Sequence, residues 1–146
     1  MQKIPMESVI SGTAGALAMM PVGFLFRALE MRVGHYGPKF AALYLDAPGP
    51  LALFLQHLVL GWVSALPLCF LPIHRGSILS ALAIGALYGV AYYVLINSLA
   101  LPFYFGDQLP WVLGAVVVAP SLVVHVAFGA AVACAIYLLR RSRSAT

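Results

Sequence analysis

Two histidines stand inside otherwise apolar runs, LFLQHLVLGWVS over residues 53–64 and LVVHVAFGA over residues 122–130. Each is followed four positions later by a glycine, His57 by Gly61 and His125 by Gly129. Imidazole titrates near neutral pH and ligates metals, so three chemistries suit such a pair. Neutral rings can hydrogen-bond across helices to Gln56, Ser64, Ser80, Asn97, Ser121 or a carbonyl freed by proline, at about 0.6 kcal/mol per bond in membranes. The same rings, with Gln56, Asn97 and loop residue Asp107, can serve a proton or small-solute pathway, because intramembrane polar groups are functional candidates. The third chemistry is a bis-histidine haem b, with Gly61 and Gly129 making room for the macrocycle and neighbouring acceptors orienting the imidazoles.

Other chemistries have little to stand on. The four acids, Glu7, Glu30, Asp46 and Asp107, fall outside or at the ends of the apolar runs, and none pairs closely with another in sequence. Ser121 and His125 share a helical face, but nothing nearby supplies an orienting acid or an oxyanion site. Phosphate-loop and HExxH patterns are absent. Cys69 and Cys134 read as small apolar side chains, without CxxC or zinc spacing. No catalytic or metal-binding residue is assigned, and the chain is expected to be non-enzymatic.

The elements that hold these groups follow from composition. Apolar residues make up 63% of the 146, charged residues 8%, and mean hydropathy is +1.00. Soluble domains carry about 45–50% and 25%, so the expected solvent is lipid. Four stretches reach spanning length: Ser8–Leu29, Leu51–Leu71, Ser77–Leu99 and a fourth within Trp111–Leu139. In hydrocarbon each must be a helix, because the backbone has no other partner. The expectation is an all-α integral membrane protein with four transmembrane helices in one domain over residues 1–146, and no soluble domain. The first span is read as an uncleaved helix rather than a signal peptide, since its apolar run continues past Ala16-Leu17-Ala18.

Five basic residues (Lys3, Arg75, Arg140, Arg141, Arg143) fall on the side of the termini, and three (Arg27, Arg32, Lys39) on the other. That bias predicts that both termini lie on the inner side of the membrane. Basic residues are too few and too little interleaved with aromatics for nucleic acid, and suit anionic lipid head groups.

A shift of 68 residues lays His57–Gly61 on His125–Gly129. The chain then reads as two similar hairpins, approximately 8–71 and 77–139, a parallel internal repeat. Pro50 and Pro120 look like first helical positions, which would put the two histidines at nearly equal depth. Residues 111–119 are then a re-entrant piece, or else part of a long, kinked fourth helix. Gly12, Gly61, Gly85, Gly89 and Gly129 lie in rows of small residues spaced by four, which let helix backbones approach. The rows from Ser8 to Ala16 and from Ser77 to Gly89 either meet a partner or close the bundle. The connectors, residues 34–50 and the run LPFYFGDQLPW, carry the aromatics of a membrane-surface belt.

The third-span sequence GSILSALAIGAL, the aromatic connector ending LPW, and the final H-x-x-x-G span ending LLRR resemble the YagU-like family. Its members are small, functionally uncharacterised bacterial inner-membrane proteins with four predicted spans. The resemblance covers mostly the second half, implies the location and helix count, and matches His57 and His125 to intramembrane histidines of no agreed role. The expected function is an accessory or scaffold subunit, packing as a homo-oligomer or within a larger membrane-protein complex.

Overall fold

Long uncharged runs of Leu, Val and Ala can satisfy their backbone only by coiling, and they do so here. The computed structural model describes residues 3–34 and 36–144; the side chain of Lys3 and residue His35, both inside stretches interpreted above, lie outside the described residues. The helices are α1 (Lys3–Ala28), α2 (Tyr36–Ala41), α3 (Pro50–Cys69), α4 (Ile78–Tyr92), α5 (Leu101–Phe105) and α6 (Ala115–Ser144). A 3-10 turn, Ile73–Arg75, precedes α4, and a π-helical stretch, Tyr93–Ala100, joins α4 to α5. Four helical segments are long and apolar enough to cross a membrane: Ile4–Ala28, Pro50–Cys69, Ile78–Phe105 and Ala115–Ser144. The described residues contain no strand. The chain is thus all-helical, and its four candidate spans suggest a multi-pass membrane protein.

Pro50 opens α3 directly after Gly49, as its fixed φ favours. Ser77 caps α4 by accepting from the Ser80 amide at 3.2 Å. Ser80 itself is exposed there and bridges no helices. The fourth span separates the two readings left open for it. Residues 110–113 form turns, Gly114 reverses the chain at φ 91°, and α6 begins at Ala115 with Pro120 buried inside it. At 1.5 Å per residue a 30-residue helix is about 45 Å long, which matches the long-helix alternative rather than a re-entrant segment. Pro120 is tolerated because it lies only six residues in, where it costs one backbone bond. His57 then lies about 10 Å along α3 and His125 about 15 Å along α6, so the two histidines do not share one distance from a helix start.

The third span also runs further than Leu99, through the π stretch to Phe105. The Leu101 amide donates to Ile96, five residues back. Pro102 accounts for the widened turn, since its ring would collide with the carbonyl four residues earlier.

Helix packing follows the glycines. The helices lie in the order α3, α1, α6, α4, with α1 against α3, α6 against α1, and α4 against α6. At the α1–α3 crossing a Cβ on Gly12 would sit 2.6 Å from the Gly61 carbonyl oxygen, so only glycine fits. At the α4–α6 crossing Gly85 and Gly129 meet backbone to backbone, and Gly89 meets the His125 carbonyl. All five predicted packing glycines are therefore spent inside one chain, closing the bundle. Ser8, Thr13 and Trp62 stitch the first crossing: Ser8 Oγ donates to the Trp62 carbonyl, and Trp62 Nε1 donates to Thr13 Oγ1 at 2.8 Å. The hairpins are not interchangeable, since α1 packs along α6 while the backbones of α3 and α4 barely meet. Leu68, Val132, Ala133 and Ile136, all fully buried, form a dry core in the half of the bundle nearest the termini.

Candidate intramembrane polar site

The two histidines have different jobs. A carbonyl only accepts, so His57 Nε2 donates to the Ala16 carbonyl at 3.0 Å, tying α3 to α1 beside the Gly12–Gly61 crossing. Gln56, next to it, serves the connector instead. Its amide nitrogen donates to the Gly37 carbonyl at 2.9 Å and its carbonyl oxygen accepts from Tyr44 Oη, pinning the α2 turn onto α3.

His125 bridges no helices through hydrogen bonds. Its Nδ1–H donates to the Ser121 carbonyl one turn earlier at 2.6 Å, which leaves Nε2 of the neutral ring bare. Tyr92 stacks on the imidazole at 5.7 Å between centroids and 22° between planes, and Tyr93 leans over it at 5.9 Å. Tyr92 Oη accepts from Ser64 Oγ at 2.8 Å, and Tyr88 Oη donates to the Ser64 carbonyl at 2.5 Å. These tyrosines span the gap where the α3 and α4 backbones fail to touch.

The π stretch completes the group. Its i to i+5 bonding stacks Tyr93 over Ser98, which an α-helix would turn apart. Tyr93 is 4% exposed and Ser98 0%, and both hydroxyls are buried without a hydrogen-bond partner among the described residues. A buried polar atom left unpaired costs about 1–3 kcal/mol, so two on one turn are the least satisfied polar groups of the bundle interior among the described residues. Asn97 lies half-buried on the same stretch.

The predicted site residues therefore divide. Ser121, His125 and Asn97 belong to the α4–α6 side, and Gln56 and His57 to the α1–α3 side. No hydrogen bond or ring contact joins the two histidines among the described residues. The room a haem would need beside the glycines is taken, since Gly61 faces Gly12 and Ala16, and Gly129 faces Gly85. The tyrosines were not singled out in the sequence, although Tyr88 and Tyr92, four apart on one face, were a visible signal.

Asp107 lies elsewhere, in a clasp between the two connectors. Lys39 Nζ reaches both its carboxylate oxygens at 2.5 and 2.6 Å, and Tyr36 also hydrogen-bonds to it. Tyr36 stacks on Phe105 at 5.8 Å, with the Lys39 ammonium over both rings. Lys39 and Asp107 are 68 residues apart, so the clasp joins two connectors distant in sequence. Burial, and then the adjoining carboxylate, push the Tyr36 phenol up to about 12. Its neutral form is the stabilised one, so its contribution is complete below the ordinary tyrosine value of about 10 and fades as pH rises toward 12. In an alkaline absorbance titration, Tyr36→Phe is expected to remove a phenol ionising near pH 12. Loss of a component near pH 10 instead would mean the clasp is open in solution. Phe103, 91% exposed, and exposed Tyr104 and Trp111 form the aromatic rim at this end.

No protein-family model matches the chain, and neither a curated protein nor a solved structure matches it. The polar geometry is what bears on function.

Proposed function

We propose that the protein is a multi-pass protein of a bacterial inner membrane, with cytoplasmic termini, that binds a small hydrogen-bonding solute beside His125. The reading rests on the two unpartnered buried hydroxyls, Tyr93 Oη and Ser98 Oγ, on the π turn against which His125 lies. Bare His125 Nε2 and the amide of Asn97 add an acceptor and a donor–acceptor pair, enough to orient a ligand of a few heavy atoms. The apolar core around Leu68 and Val132 argues for a site entered from the connector side rather than a continuous pathway. The five-to-three distribution of basic residues supports the orientation. The third-span, LPW and LLRR motifs support kinship with the YagU-like family. An accessory role in a larger complex would have to use the exposed leucines and phenylalanines facing lipid, because the glycine rows are occupied within the chain.

Histidine side-chain nitrogen NMR of the protein in nanodiscs tests the site. Expected are a His125 ring carrying its proton on Nδ1, signals that move on titration with small amides, alcohols or ammonium, and loss of that response in Tyr93→Phe/Ser98→Ala. If the His125 signals ignore every solute, and its ring proton exchanges in D2O as slowly as the amides of Val132 and Ile136, the site is sealed and the reading fails.

A further inference from the structure

The two helical segments that build the His125 site carry no acid. Neither Ile78–Phe105 nor Ala115–Ser144 contains Asp or Glu, and the first base on either, Arg140, lies about 22 Å along α6 from His125. The four carboxylates are placed elsewhere. Glu7, buried at 2% exposure in the first turns of α1, is gripped by Arg140 with two prongs, Nε to one oxygen at 2.9 Å and Nη2 to the other at 2.7 Å. The same guanidinium donates to the Leu71 carbonyl at 2.6 Å and to the Cys69 carbonyl, closing the C-terminal end of α3. Asp107 is held by Lys39 in the clasp, and Glu30 and Asp46 are exposed on the first connector. An ion beside His125 therefore meets no counter-charge, and an unpaired charge in an apolar interior is strongly disfavoured. The imidazole stays neutral for the same reason, and the site selects an uncharged ligand.

Hydrogen-bond matching narrows the ligand further. With Nδ1–H given to Ser121, the second ring nitrogen of His125 can only accept. Tyr93 and Ser98, 4% and 0% exposed, hold hydroxyls without a partner among the described residues. Asn97, next to Ser98 on the same turn, offers one carbonyl oxygen and one NH2. A ligand that satisfies these groups must donate to the imidazole and accept from two hydroxyls. A carbonyl oxygen has two lone pairs, one for each hydroxyl, and a primary amide nitrogen has two protons, one for the imidazole and one for the Asn97 oxygen. Ammonium is charged and accepts nothing. A carboxylate is charged and has no proton for the imidazole, a tertiary amide leaves the imidazole unanswered, and an alcohol leaves Asn97 unmet. The Tyr92 ring stacked on the imidazole and the Tyr93 ring tilted beside it add flat walls that suit a planar group.

We infer that the solute bound beside His125 is an uncharged molecule carrying a primary amide group, CO–NH2. One N–H donates to His125 Nε2, the other meets Asn97, and the carbonyl oxygen accepts from Tyr93 Oη and Ser98 Oγ. This rests on the site proposed above and adds its selectivity.

The experiment titrates the full-length protein in nanodiscs, at constant ionic strength, with acetamide, N,N-dimethylacetamide, ethanol, acetate and ammonium, and follows the His125 ring nitrogens by NMR. Acetamide is expected to move the Nε2 signal at concentrations at least tenfold lower than any of the other four. Its apparent affinity should fall about tenfold in Tyr93→Phe and again in Ser98→Ala, the loss of one hydrogen bond each. Each variant removes a buried unpaired hydroxyl, so neither hinders folding. Ammonium, ethanol or dimethylacetamide binding as tightly as acetamide, with that response lost in Tyr93→Phe/Ser98→Ala, overturns the amide but keeps the site. Acetamide binding that both single variants leave unchanged overturns the amide and its assigned contacts. Silence toward all five solutes with fast exchange of the ring proton in D2O means a site filled by water alone, and overturns the amide. Silence with slow exchange overturns the site itself.

Discussion

Gly129→Leu is expected to separate α6 from α4 and cost more than about 3 kcal/mol, the upper range for overpacking a well-filled interior. A Cβ at this position would overlap the Gly85 carbonyl oxygen, and that atom belongs to a helix backbone that cannot turn aside as a side chain could. Alanine should already destabilise. Its helix propensity exceeds that of glycine by about 1 kcal/mol, yet the overlap outweighs that gain. Individual spans remain helical in lipid or detergent whether packed or not, so circular dichroism is the wrong readout. Energy transfer between labels on α4 and α6, followed during unfolding in dodecyl sulfate, reports the separation directly. Leu87→Ala, at a 70% exposed position on α4, is the control and should change little. Unfolding of Gly129→Leu at the wild-type detergent fraction would show that these helices do not meet at Gly85.

Arg140→Met should be the most damaging change outside the glycine crossings. It leaves the Glu7 carboxylate in a setting with 3% side-chain exposure, with only Arg143 at 3.7 Å. It also strips the donor from the Cys69 and Leu71 carbonyls. Removing one partner of a buried pair costs about 3–5 kcal/mol, because the remaining charge is uncompensated. The double variant Glu7→Leu/Arg140→Met should recover part of that loss, since no buried charge is left behind. Detergent-unfolding midpoints of the two variants and the wild type decide the matter. Equal midpoints for Arg140→Met and wild type would mean that the Glu7 end is hydrated and the cluster superficial.

The Glu7–Arg140 pair shows why some of the molecule was hidden in the sequence. The partners are 133 residues apart, and Glu7 reads as an ordinary charge at a helix start. Only the approach of α1 to α6 buries it. The π stretch was hidden for a different reason. Pro102 looked like the start of a connector, whereas the helix widened and carried on past it. That widening stacks Tyr93 over Ser98, which no 3.6-residue period would align. Pro120 left two readings open, since a proline near a helix start fits equally well at the first position or six residues in.

The amino-acid sequence alone determined that the chain forms four long apolar helices, because so few charges and so much Leu, Val and Ala leave the backbone no other way to satisfy itself in an apolar solvent. It also located the backbone crossings, since only glycine permits them, and both H-x-x-x-G segments do lie at such crossings. Tertiary structure decided which helix each glycine meets, and therefore that the rows are spent within one chain. It also decided that His57 ties α3 to α1 while His125 sits against tyrosines on the π turn. Identical local patterns acquire different chemistry because a side chain's partners come from the neighbouring helix, and the helix order α3, α1, α6, α4 is written in no local stretch of residues.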